Sequence, residues 1–223
     1  MLMAVINFYP LDISANTIIP YYDTYIISQE SYPKEIFKNF TTLETPRLIL
    51  RKVQPQDKQD IFTITSDRSV VRYTSTLEFT KSMEDVELLI NIMTERYDKD
   101  LPTRWVIFHK EDKKVIGICG FYDYVPMYAR AELGYALSRS YWGKGVGTEA
   151  AQAVVDFGFK NMNLNRIEAT CDPENRPSSH ILEKIGMKYE GILRQHIFKD
   201  GKYCDRKMYA MLRSDWSEQK AYD

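Results

Sequence analysis

The chain is poor in cysteine and in histidine, with three of each among its 223 residues. Cys119, Cys171 and Cys204 lie far apart without the paired C-x-x-C spacing of zinc and redox sites, and His109, His180 and His196 are equally scattered. No metal centre is expected from them. Cys119 and Cys171 fall in apolar stretches and read as small buried hydrophobes of a protein kept in a reducing cytoplasm. An excess of either charge is missing as well. Thirty Lys and Arg against 31 Asp and Glu leave a net charge of −1, which excludes the basic footprint of a nucleic-acid-binding protein. The apolar start, Met1 to Pro10, has no basic leader and no small-residue cleavage pattern and is too short to span a bilayer. Neither secretion nor a membrane partner is expected. The remainder, 44% apolar and 27% charged, is the composition of an ordinary globule long enough for a substantial core.

Glycine is sparse too, ten residues in all, yet Gly143, Gly145 and Gly147 fall within one five-residue stretch. They sit in Tyr141–Ala150, ahead of apolar positions Ala151, Val154, Val155 and Gly158 at helical spacing. The glycines therefore precede a helix N-terminus, where unpaired amides and the positive end of the dipole suit a phosphate. No Gly-Lys-Ser/Thr follows, which excludes a triphosphate-binding P-loop. Gly145-x-Gly147-x-x-Ala150, with Glu168 about twenty residues on, fits a dinucleotide fingerprint. Against that reading, Ser138 to Trp142 separate the glycines from the preceding strand, whereas a dinucleotide turn leaves its strand at once.

Residues 1–43 form an extension rich in tyrosine and punctuated by Pro10, Pro20 and Pro33. Thr17–Ile19 and Tyr25–Ile27 suggest short edge-like strands there, serving as a strap over the domain or as a subunit contact. A strand is expected after Glu44, a helix from Pro55 to Thr65, and a second helix capped by Ser82 with Asp85 three residues on, its apolar positions Leu88, Leu89, Ile92 and Met93. Strands follow at Trp105–His109, Lys114–Tyr122, Ala131–Leu137 and Arg166–Cys171. A hairpin turning at Asp200-Gly201 joins Glu190–Phe198 to Lys202–Leu212. This mixture predicts an α/β or α+β fold over residues 44–216, with 217–223 as a tail.

Two stretches carry a more specific signal. Glu132-Leu133-Gly134-Tyr135 followed by Gly143-Lys144-Gly145, and Asn175-x-x-Ser178 followed by Gly186-Met187, resemble in order and spacing the GCN5-related N-acetyltransferases, or GNAT superfamily. Within it they resemble the RimJ/RimL-like branch that acetylates ribosomal-protein N-termini. Met187 stands where phenylalanine is usual, a mild departure because methionine fills similar apolar space. The resemblance implies a mostly antiparallel central sheet flanked by helices, with splayed strands that form an acetyl-CoA cleft. It implies that backbone edges of Tyr135, Ala136 and Leu137 hold the pantetheine, that Trp142, Gly143, Lys144, Gly145, Val146, Gly147 and Thr148 hold the pyrophosphate, and that Asn175 also contacts the cofactor.

Acetyl transfer needs a neutral amine, and Glu132 is the candidate base. Strand alternation sets it on one face with Gly134 and Ala136, whose small side chains leave room for a substrate, and burial would raise its pKa. The alternative is a structural glutamate paired with an arginine such as Arg130. Ser178 is the candidate partner of the leaving thiolate, because the tyrosine that many relatives place seven residues after the asparagine is Leu182 here. For Ser178 and Asn175 the alternative role is helix capping. The acceptor is expected to be a primary amine, with a basic protein N-terminus ahead of a polyamine, an aminoglycoside or an amino-acid derivative. That order rests on Glu84, Asp85, Glu87, Glu95, Asp98 and Asp100, which the resemblance sets beside the acceptor entrance and which otherwise form a solvated helix face. A non-catalytic acyl-CoA-binding module and a dinucleotide-dependent oxidoreductase are the rival readings. The enzyme is expected as a monomer or homodimer.

Overall fold

Trp105 and Ile107 are buried on one face of a strand and Val106 on the other, the period-2 signature of a sheet covered on both sides. The computed structural model describes residues 37, 39–74 and 80–222. In chain order these form β1 (Leu43–Glu44), β2 (Leu48–Arg51), α1 (Lys58–Thr65), α2 (Arg68–Val71), α3 (Met83–Asp98), β3 (Arg104–His109), β4 (Lys114–Val125), β5 (Arg130–Leu137), α4 (Val146–Lys160), β6 (Arg166–Cys171), α5 (Arg176–Lys184), β7 (Lys188–Lys199), β8 (Lys202–Leu212) and α6 (Arg213–Tyr222). The strands pair in one sheet in the order β1-β2-β3-β4-β5-β6-β8-β7. Of the seven pairings only β5–β6 is parallel, as expected where the helical crossover α4 joins two strands. The sheet is thus mixed and mostly antiparallel, with helices on both faces.

On one face α4 buries Ala151, Val154, Val155 and Phe157 against Trp105, Phe121 and Ile167. Gly158 brings the helix down onto the sheet, for a Cβ there would stand 2.7 Å from the Phe121 ring and 2.9 Å from Ile167. Each fully buried Val or Phe adds about 1.5–3 kcal/mol to this packing. The other face is covered by α1 and α3, whose Ile61, Ile64, Val86, Ile90, Met93 and Tyr97 pack on Val106, Val115 and Ile118. Ser82 and Asp85 form the expected capping box of α3. Of the expected stripe of α3, Met93 is buried and Leu89 packs half-buried against the core, whereas Leu88 and Ile92 are exposed and Val86, Ile90 and Tyr97 complete the inward row. With two apolar rows available, the row ending in the large aromatic Tyr97 takes the core, since its hydroxyl finds the Arg104 carbonyl at 2.8 Å.

Packing reaches back beyond the expected domain start. Phe37 is buried, the Phe40 ring lies 4.6 Å from Tyr97 and 4.7 Å from Trp105, and Trp105 Nε1 donates to the Thr41 carbonyl at 2.8 Å. A boundary at residue 44 therefore falls inside β1. Residues 217–222 continue the helix α6 rather than trailing as a tail. The strand readings at Thr17–Ile19 and Tyr25–Ile27, and the strap or contact role built on them, lie outside the described residues.

Candidate active site

The site begins with an unequal pairing. β5 is bonded to β4 from Arg130 to Leu137, but its pairing with β6 runs only from Arg130↔Arg166 to Glu132↔Glu168. Beyond Glu132 the two strands part, and among the described residues the β6-facing edge of Leu133–Leu137 has no ladder partner, although the Leu137 carbonyl accepts from Trp142 Nε1 at 2.8 Å. A cavity of about 320 Å³ fills the gap, lined by β5, the glycine loop, β6, the first turns of α5, and Tyr73, Thr74 and Arg206. Unpaired strand edges present N–H and C=O groups to whatever lies beside them. That edge, at Tyr135, Ala136 and Leu137, suits an amide-bearing chain such as pantetheine.

At one end of the cavity stands the glycine loop. Gly143 and Gly145 have φ of 72° and 76°, the left-handed region that costs glycine little, and Gly145 is the N-cap of α4. The β1–β2 turn braces the loop. Arg47 Nη1 donates to the Lys144 carbonyl at 2.8 Å and its Nη2 pairs with Glu149 at 2.6 Å, while Thr45 Oγ1 also donates to Glu149 at 2.6 Å. Glu149 thereby offsets the amide dipoles at the first turn of α4 and orients Arg47 across the loop. Trp142, Gly143, Gly145, Gly147 and Thr148 line the cavity, as do Tyr135, Ala136, Leu137 and Asn175. Lys144 and Val146 do not: the Lys144 ammonium lies 5.2 Å from the centre of the Tyr141 ring, and Val146 is buried in the core. Only their backbone belongs to the loop.

Glu132 lies in the other half of the cavity. Its Oε1 accepts a hydrogen bond from Thr170 Oγ1 at 2.8 Å. Burial raises its pKa above the ordinary carboxylate value, Thr170 opposes that, and Asp123 and Glu168 add to it. Arg130 does not pair with Glu132; its Nη1 donates to Glu168 at 2.9 Å. The space beside Gly134 is not open, because a Cβ there would stand 2.0 Å from the Tyr122 ring. Tyr122 fills the room that the small residue was expected to leave for a substrate: it pairs with Glu132 in the β4–β5 ladder, and its ring lies diagonally over Gly134. The β4–β5 register shifts between Tyr122 and Val125, and Asp123 sits there at φ 38°.

Ser178 meets a tyrosine after all, from another element. Ser178 Oγ lies 2.9 Å from Tyr135 Oη, across the gap between α5 and β5. Capping is done by Asn175, whose Oδ1 accepts from Ser178 N at 3.2 Å. The acids of α3 and of the turn after it are elsewhere. None of Glu84, Asp85, Glu87, Glu95, Asp98 and Asp100 lines the cavity; Asp85 is used in the capping box and Asp100 accepts from Phe37 N at 2.5 Å.

Tyr73, Tyr122, Thr170 and Arg206 line the cavity without having been anticipated. Arg206 gave no local signal, because it lies in the second strand of the hairpin and meets Thr170 only diagonally across the β6–β8 pairing, in which Thr170 stands opposite Met208. Lys199 draws Tyr73 in: its Nζ donates to the carbonyls of Val71, Arg72 and Thr74 at 2.8, 2.9 and 2.6 Å, tying the hairpin to the end of α2.

The chain is similar to known proteins over most of its length. Residues 47–188 match the family described as acetyltransferase (GNAT) domain. The chain is 36% identical over 176 residues to "Uncharacterized N-acetyltransferase p20" of Bacillus licheniformis, covering 79% of this chain and 98% of that one. It is 24% identical to the ribosomal protein uS5-alanine N-acetyltransferase of Escherichia coli, over 78% of this chain and 92% of the other. Among solved structures, a GNAT-family acetyltransferase from Bacillus anthracis superposes with a TM-score of 0.69 at 31% identity, over 78% of this chain and 99% of that one. Spermidine N-acetyltransferase from Vibrio cholerae, in complex with CoA and spermine, gives a TM-score of 0.67 at 24% identity, over 78% and 99%.

Proposed function

Because this chain belongs to the GNAT acetyltransferase family and is an acetyl-CoA-dependent N-acetyltransferase, we propose that it transfers the acetyl group directly to an α-amine, foremost the N-terminus of a protein. The observation that carries the proposal is that one cavity joins the free edge of β5, the glycine loop, Glu132 and Ser178. The cosubstrate supplies a thioester carbonyl. The β5 edge and the loop amides hold its pantetheine and pyrophosphate, which fixes where that carbonyl lies and lowers the barrier by positioning alone. Glu132 takes the proton that the acceptor nitrogen must lose, and the Ser178 hydroxyl, tied to Tyr135, donates a hydrogen bond toward the departing sulfur.

The acceptor's own acidity favours an α-amine. With a pKa of about 7.8 it is roughly a quarter neutral near pH 7.4, against about a thousandth for an alkylamine near 10.4. A buried carboxylate is a sufficient base for the first and a weak one for the second. The likeness to the uS5-alanine enzyme supports the same choice. The test is thiol release from acetyl-CoA with peptides of free and blocked N-terminus and with spermidine. Release that requires the free N-terminus bears the proposal out, and spermidine turning over faster than every peptide would replace it with polyamine acetylation.

A further inference from the structure

Arg206 is the buried cationic side chain of the cavity, and the chemistry above leaves it unused. Only 4% of it is exposed, and its Nε has no hydrogen-bond partner among the described residues. Its two terminal nitrogens reach the backbone carbonyls of Tyr73 and Thr170 at 3.4 and 3.3 Å, both long for a charged donor. A guanidinium buried in this way, bonded to carbonyls and not to a carboxylate, keeps donor capacity that water no longer satisfies. Arg130, whose Nε is likewise without a partner among the described residues, and Arg166 are by contrast paired with carboxylates, Glu168 and Glu190.

The position of that spare donor is specific. Thr170 touches both groups: its hydroxyl donates to Glu132, and its carbonyl accepts from Arg206. The base and the guanidinium are therefore separated by a single residue, on the scale of neighbouring groups in one small head group. A bare amine would use Glu132 and leave Arg206 facing a second cation. An amine whose α-carbon also carries a carbonyl or carboxylate oxygen would satisfy both.

We propose, building on the α-amine reading above, that Arg206 determines acceptor specificity by donating to the oxygen borne on the carbon next to the amine-bearing carbon, so that the enzyme selects α-amino acyl groups over simple alkylamines. Tyr73, held in place through Lys199, forms the adjoining wall. The oxygen can belong to the carboxylate of a free amino acid or to the amide of a peptide N-terminus, and the two differ only in charge. An amine that lacks this oxygen leaves the buried guanidinium without an acceptor, and that penalty gives the discrimination.

The experiment compares three matched sets, built on alanine, leucine and phenylalanine, each as free acid, amide and decarboxylated amine, with spermidine alongside. Thiol release from acetyl-CoA is read for the wild type, Arg206→Gln and Arg206→Lys. Wild type is expected to favour the acid or the amide over its decarboxylated partner by about tenfold or more in kcat/KM. The faster of acid and amide identifies the oxygen. In Arg206→Gln that ratio should collapse to about threefold or less, mainly through KM of the carbonyl-bearing acceptor, and Arg206→Lys should restore part of it. Equal wild-type rates on acids, amides and bare amines, or spermidine as the best acceptor, would overturn the inference without any variant. An unchanged ratio in Arg206→Gln would assign Arg206 to structure alone. No release with any amine would instead sink the α-amine reading itself.

Discussion

Tyr135 Oη stands 2.9 Å from Ser178 Oγ, so a residue of β5 and a residue of α5 share one hydrogen bond across the mouth of the splay. Burial pushes the Tyr135 phenol well above its usual pKa, which keeps it protonated and a donor at every working pH. The phenol has two acceptors within reach, the Ser178 carbonyl at 3.2 Å and Ser178 Oγ, and where it donates to Oγ the Ser178 hydroxyl keeps its own proton to donate elsewhere. Tyr135→Phe should lower kcat by about tenfold and leave coenzyme A affinity within about twofold, by analogy with the loss of one hydrogen bond to an active group. If the pair acts as a unit, Tyr135→Phe in a Ser178→Ala background should cost almost nothing more. Strict additivity of the two variants in steady-state kinetics would separate them.

Glu132→Gln should reduce kcat by about 10²-fold while coenzyme A binds as before in calorimetry. The wild-type rate should rise with pH through a limb displaced above the ordinary carboxylate range, because burial raises the Glu132 pKa. That limb should vanish in the variant, leaving the limb of the amine. Stability moves the other way. The folded state holds the Glu132 proton more tightly than the unfolded chain, so raising the pH from the ordinary carboxylate value through the raised one costs stability. Glu132→Gln should therefore melt above wild type near about pH 8 and approach it near about pH 4. A wild-type rate for the variant across that range would return Glu132 to a structural role.

Gly145→Val places a β-branched residue at φ 76° in the loop that faces the cavity. The left-handed conformation costs a non-glycine residue about 1–2 kcal/mol, and more for a branched one. Affinity for coenzyme A should fall by about tenfold or more, since the loop must shift and its amides no longer converge. Calorimetry giving wild-type affinity would remove the loop from cofactor binding.

Gly158→Val tests packing apart from catalysis. Its Cβ would meet the Phe121 ring at 2.7 Å and Ile167 at 2.9 Å, both fully buried. Overpacking of this kind costs about 1–3 kcal/mol, and for a domain of this size each kcal/mol lowers Tm by about 2–4 °C. The melting temperature should fall accordingly in a thermal scan. An unchanged Tm would mean that α4 lifts from the sheet at no cost.

The chain alone was enough to locate the elements whose periodicity and caps are local: the capping box at Ser82 and Asp85, the glycine loop ahead of α4, the Asp200-Gly201 hairpin, and the order of strands around Glu132. Glu132, Ser178 and Asn175 were candidates through the resemblance to the family, and the structure brings all three to one cavity. Where two apolar rows competed on α3, local pattern was silent, and the row that could seat Tyr97 took the core. Contacts between residues distant in the chain were invisible for the same reason. Tyr135 reaches Ser178 over 43 positions, Arg47 reaches Glu149 over 102, and Arg206 reaches Thr170 over 36. Each depends on sheet register and on where β5 and β6 part, quantities set by the packing of both helical layers at once and encoded in no single stretch of residues.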